Sequence, residues 1–265
     1  FTFGLVVSAV CADAGHPILG IILALIAGAV AGVVTGALNV YLRIPAILAG
    51  ILTMSGLYSI NLLTMDSKSN LTLIGTDTIF SLIAPIFGND LDMAKTMVNL
   101  ILVALVIFLI YTFFKTRIGL SIRATGDNEY MVRASSINIS VTKILALALS
   151  NAIIALSGGI LAQYQQFADI SSGVGMLVVG LASVIIGEAF LGQRGILCGL
   201  CAAVLGSIIY RLLIALAYQT NIFPSAAFRL LSAIIVTIAL AIPAIKQLID
   251  MSRKRKENLS HADFD

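Results

Sequence analysis

Apolar runs of about 20 residues recur along this chain, the length a helix needs to cross a hydrocarbon core about 30 Å thick. They read Pro17 to Asn39, Ile44 to Leu63, Leu91 to Phe114, Val141 to Ala162, Val174 to Leu191, Ile196 to Ala217 and Phe228 to Ile249. Phe1 to Ala12 reads as the tail of a further helix. Inside lipid the backbone must satisfy its own hydrogen bonds, so only helices and closed barrels span. The runs are rich in Leu, Ile, Ala and Gly without strict alternation, which excludes barrel strands. Composition agrees, with 59% hydrophobic and 11% charged residues, against about 25% charge in soluble domains. The expected fold is all-α: a polytopic transmembrane bundle of about eight spanning or partly spanning helices, one domain over residues 1–265. The chain opens Phe-Thr-Phe-Gly, already apolar and without Met. An N-terminal piece is therefore expected to be missing, and no signal-peptide pattern is visible.

Charge placement gives an orientation, because short cytoplasmic loops carry the excess of Lys and Arg. Arg43, the segment 115–143, Arg194 and the C-terminal stretch from Lys246 to Lys256 fall on one side and hold twelve of the sixteen basic residues. The other side holds Asp13, Asp66, Asp77, Asp90, Asp92 and Asp169, with Lys68 and Lys95. The alternation closes without skipping a span. The loop 115–140 and the tail 250–265 are expected to be cytoplasmic, with the Arg253–Lys256 run held near anionic lipid. On the opposite side, Thr64 to Asp90 reads as a mixed loop in which Ile79 to Phe87 touches the interface or folds back. Gln163, Tyr164 and Gln165 read as the start of a solvated link reaching Ser172, and residues 192–195 as a tight turn.

Several chemistries are excluded. No GxxxxGK[ST] loop is present to cradle ATP phosphates. His16 and His261 lie at a helix end and in the tail, too far apart in role to share a metal site or a triad. Cys198 and Cys201 have CxxC spacing but no second ligand pair, and read, with Cys11, as small buried apolar side chains. Nothing suggests nucleic-acid binding. Gly28, Gly32 and Gly36, with Ala27 and Ala31, recur every four residues and predict a close helix–helix approach. That approach serves either ordinary packing within the chain or a pathway or dimer seam.

The most informative loop is the island Lys115 to Ser140, KTRIGLSIRATGDNEYMVRASSINIS. It carries Lys115, Arg117, Arg123 and Arg133 against Asp127 and Glu129, and Gly126 marks a break. Leu120, Ile122 and Ala124 are placed to pack near the membrane face. Gly126-Asp127-Asn128 reads as a turn and helix start, since Asp and Asn cap helices and acids favour their N-termini. A short helix from Glu129 to Ser135 would present Tyr130, Met131 and Ala134 on one side, and a turn at Ser136-Ile137-Asn138 would return the chain to the bilayer. Such a helix suits insertion into a groove on a partner.

These residues carry a resemblance. Gly119-Leu-Ser-Ile-Arg-Ala-Thr-Gly-Asp-Asn, with Ala134 and Ser136-Ile-Asn downstream, resembles the cytoplasmic coupling loop of ATP-binding-cassette importer permeases. The nearest branch is that of ribose, branched-chain amino acid and nucleoside importers. Gly180-Leu-Ala-Ser-Val-Ile-Ile-Gly-Glu-Ala-Phe-Leu-Gly resembles that branch's second recurrent block. The stretch from Leu48 to Leu62 looks like a subgroup paired with lipoprotein-type binding proteins, some of them linked to tryptophan or other aromatic amino acids. One departure is Ser136, where the family usually places Gly. The resemblance implies a bacterial plasma-membrane permease, paired with a second permease copy as a homodimer or with a related permease as a pseudo-dimer, together with two cytoplasmic ATPase subunits and an extracytoplasmic binding protein. ATP and Mg would sit on the ATPase subunits, not on this chain. It assigns ATPase coupling to Gly126, Asp127, Asn128, Glu129, Tyr130, Met131, Arg133, Ala134 and Ser135.

Polar residues within spans are expensive and mark pathway candidates. Glu188 is either a structural pair at a helix end or a gate. Asn61 and Asn151 either hydrogen-bond between helices or line the path. Arg211 and Arg229 either snorkel to the interface or attract a substrate carboxylate. An ion-coupled secondary transporter is the alternative reading; it calls for acids at mid-membrane and paired broken helices. Apart from Asp92 at the very start of its run, only Glu188 is acidic within a span, near one end, which favours the importer permease.

Overall fold

In the computed structural model the described residues are 1–88, 90–192, 195–219 and 237. The span expected over 228–249, the basic tail, Gln193, Arg194 and Arg229 lie outside them. The chain divides into two compact units, Phe1–Gly173 and Val174–Asp265, each described by itself.

The first unit runs α1 (Thr2–Asp13), α2 (Pro17–Val40), α3 (Ala46–Thr64), β1 (Asn70–Thr72), α4 (Ile79–Ile83), α5 (Leu91–Lys115), α6 (Arg117–Asp127), α7 (Glu129–Ala134), α8 (Ile139–Gln165) and β2 (Phe167–Asp169). In the second, α9 (Met176–Leu191) packs against α10 (Ile196–Gln219). Six of the described helices are long and apolar enough to span a membrane, and α1 is a shorter apolar helix. The expected all-α polytopic fold is the one observed.

The packing is inverted relative to a soluble core. Small residues face inward, and large apolar ones such as Ile18, Leu19, Ile22 and Ile26 face outward, more than 40% exposed. Lipid removes the hydrophobic drive between helices, so close contact has to supply the attraction. The stripe Gly28, Gly32, Gly36 supplies it along α8. A Cβ on Gly28 would meet Ala155 and Asn151, one on Gly32 would meet Leu147 and Ala148, and one on Gly36 would come within 3.0 Å of Ile144. Gly4 and Gly158 repeat the device between α1 and α8, and Ser8 Oγ donates to the Gly159 carbonyl at 3.0 Å. The stripe therefore packs helices within the chain. Gly187 against Ala202 and Gly206 against Ser183 do the same in the second unit.

One end of the first unit is closed by a small antiparallel pair, β1 on β2, with Leu71 opposite Ala168. It covers a buried cluster of Leu5, Val6, Ala9, Ala12, Met65, Leu73, Ala162, Ala168 and Ile170. The Thr64–Asp90 loop is thus structured: α4 starts on a capping box between Thr78 and Ser81, and a 3₁₀ turn, Ala84–Phe87, follows.

Gln163 corrects the sequence reading of this end. It is fully buried rather than solvated. Its Nε2 donates to Ser8 Oγ at 3.0 Å and to the Pro17 carbonyl at 2.8 Å, while its Oε1 accepts from Ile79 N–H at 2.9 Å. One amide thereby ties α1, α2, α4 and α8 together. A buried Gln is tolerated when its donors and acceptor are all matched. Tyr164 and Gln165 are exposed as expected; Tyr164 stacks edge-on with Phe80 and lies 5.3 Å beneath Lys95 Nζ.

The cysteines also depart from expectation. All three are free, but Cys11 and Cys198 are only half-buried and Cys201 is exposed on α10. Cys198 Sγ donates to the Leu191 carbonyl at 3.5 Å.

Candidate functional site

At the end opposite the β1–β2 pair, the island folds into two helices and three capped starts. Thr116 begins α6: its hydroxyl accepts from Gly119 N–H at 3.2 Å and donates to the Phe113 carbonyl at 2.7 Å. Gly119 is required at this corner, because a Cβ would run into Phe113 and Phe114 of α5. Lys115 sits 4.3 Å over the Tyr111 ring. Asn128 begins α7, its Oδ1 accepting from Tyr130 and Met131 N–H at 3.1 Å each. Asn138 begins α8, accepting from Ser140 at 3.0 Å and Val141 at 3.3 Å. Each cap satisfies amides that a helix start otherwise leaves unbonded.

Gly126 does not break the chain. It lies inside α6, in open surroundings. The roughly 1 kcal/mol penalty of a helical glycine is outweighed by the Thr116 cap and by packing on α8. Asp127 is the last residue of α6, so Asn128 alone caps α7. Leu120 remains exposed, while Ile122 and Ala124 are half-buried.

The short helix carries the expected surface. Tyr130 is 87% and Met131 70% exposed, and Arg133, Ala134 and Ser135 are exposed beside them. Val132 faces the other way and is buried, 3% exposed. It anchors α7 to the protein and was not singled out in the sequence. Glu129 turns back to Lys143 on α8, Oε1 to Nζ 2.6 Å, and Thr125 and Thr142 pair their hydroxyls at 3.2 Å. Ser136 holds a left-handed backbone, φ 59°, the conformation for which glycine is the default. The position where the resemblance expects Gly is therefore the position that needs its geometry.

The intramembrane candidates are spread over separate helices. Asn61, in the last turn of α3, is 3% exposed, and its Oδ1 has no partner. Asn151 does not bridge helices: its Nδ2 bonds back to the Leu147 carbonyl of α8 at 2.9 Å, and its own carbonyl lies against Gly28. Glu188 is half-buried toward the end of α9, and Arg211 is exposed on α10. No group of three or more His, Cys, Asp or Glu able to hold a metal ion occurs among the described residues.

Comparison with known proteins supplies a context for this linker. A family model, described as the permease component of branched-chain amino acid transport systems, matches residues 1–240. The tyrosine transport system permease protein of Clostridioides difficile is 35% identical over 242 residues, 91% of this chain and 78% of that one. An uncharacterized Rickettsia prowazekii protein is 34% identical over 147 residues, 55% of this chain and 49% of its own. The autoinducer 2 import system permease LsrC of Escherichia coli is 31% identical over 106 residues, 40% of this chain and 30% of its own. No solved structure matches the chain.

Proposed function

We propose a coupling mechanism from one premise: the chain belongs to the family of permease components of branched-chain amino acid transport systems, and is an importer permease of the ATP-binding-cassette type. Two copies form the pathway in a bacterial plasma membrane, with the linker 115–140 and the C-terminus in the cytoplasm. Separate ATPase subunits supply ATP and Mg, since this chain has no phosphate loop of its own. An extracytoplasmic binding protein delivers substrate to the opposite face. The lead substrate class is an amino acid with an aromatic side chain, by analogy with the tyrosine permease relative.

The observation that carries this reading is the Tyr130–Met131 pair. Two large side chains stand almost fully in solvent on a six-residue helix that is capped at one end and footed by Val132. An aromatic and a flexible thioether side by side are anchors of the kind buried at protein interfaces. Asp127 to Ser135 is then the segment that seats in the ATPase, with Arg133 at its rim and the Glu129 carboxylate turned away toward Lys143. Ala134→Asp places a charge on that face. It is expected to abolish co-purification of the ATPase and substrate-stimulated ATP hydrolysis in reconstituted vesicles. A variant that still binds and stimulates its ATPase at the wild-type level would overturn the docking assignment.

A further inference from the structure

We infer that Glu129 and Lys143 form a strut that carries movement of α7 into the α1–α2–α8 block, making Lys143 a positioning residue for coupling. The inference rests on the reading of α7 as the ATPase docking element, and goes on to name where the force enters the membrane domain.

The geometry points there through a chain of contacts. Glu129 is the first residue of α7, directly after the Asn128 cap and directly before the exposed Tyr130. Its carboxylate is held by Lys143 Nζ at 2.6 Å. Lys143 lies in the second turn of α8, whose start is fixed by Asn138. Beside it, Thr142 meets Thr125 of α6, so neighbouring residues of α8 take hold of both linker helices. From there α8 runs along the glycine stripe of α2 and the small residues of α1, so close that a Cβ added at Gly4, Gly28 or Gly32 would overlap its atoms. A close-packed block of this kind moves as a body rather than deforming. A push on Tyr130 and Met131 is thus passed by Glu129 to Lys143, and by α8 to α1 and α2 together.

The pair is about 40% exposed on both sides, so it adds little to stability. Its value lies in direction, which separates it from a structural ion pair. The test uses the complete permease–ATPase complex in liposomes with its binding protein, reading substrate taken up per ATP hydrolysed. Lys143→Glu is expected to keep its ATPase bound and its melting temperature, while uptake per ATP falls about two- to fivefold, the factor such a pair is worth. Adding Glu129→Lys to Lys143→Glu restores the charge pair in reverse and is expected to return uptake per ATP to within about twofold of the wild type. Unchanged coupling in Lys143→Glu, or a double variant no better than Lys143→Glu, would overturn the strut. So would loss of the ATPase from the double variant alone, since Glu129 would then contact the ATPase itself. Retained ATPase in Ala134→Asp would instead overturn the docking reading.

Discussion

Gln163 shows how far a single side chain's role depends on partners distant in sequence. Within Ala-Gln-Tyr-Gln-Gln at the end of an apolar run it reads as polar and therefore wet. In the fold it is fully buried, satisfied by Ser8, Pro17 and Ile79, residues up to 155 positions away. Local pattern carries no trace of such contacts. Gln163→Leu roughly keeps the volume but strands the Ile79 N–H. A loss of about 2–4 kcal/mol is expected, read as a lower unfolding temperature in detergent; no change would mean that water replaces the amide. Ser136 was legible in the opposite sense. Its departure from glycine marks the turn, and its φ of 59° predicts that Ser136→Gly raises stability by about 0.5–1 kcal/mol.

At the level of elements, periodicity located most long helices within two residues, because a 20-residue apolar run admits no other solution in lipid. The stripe Gly28, Gly32, Gly36 was legible as a close approach, though only the fold names α8 as its partner. Gly32→Val is expected to drive the side chain into the Leu147 backbone and lower stability by about 3 kcal/mol; a melting curve like the wild type's would show that α2 and α8 separate freely. α6 was not legible, because Gly126 looked like punctuation and the deciding contacts, Gly119 on Phe113 and Thr125 on Thr142, are tertiary. α7 was read nearly to the residue, since an Asn cap before an acidic first turn is a local signal. Six residues make a marginal helix alone, so its cap matters. Asn128→Ala removes about 1 kcal/mol and is expected to speed amide exchange at Tyr130 and Met131 about fivefold; unaltered exchange would mean that tertiary contacts hold α7 without its cap.

For the whole molecule, the all-α polytopic class and the permease family both follow from residues visible in the sequence: the repeated spans, the basic island and the Gly180–Gly192 block. Substrate chemistry is less legible, because Asn61, Asn151, Glu188 and Arg211 sit on four different helices and no metal-binding group joins the described ones. Under the proposed function the binding protein selects the substrate, and the permease contributes a passage and a handle by which that passage is moved. Whether α7 is that handle is read by a photocrosslink. Benzoylphenylalanine replaces Tyr130 on α7 in one permease and the outward-facing Ile18 on α2 in another, each within the assembled transporter. A permease–ATPase adduct is expected from position 130 and none from position 18. An ATPase complex that forms normally yet gives no adduct at position 130 would contradict it.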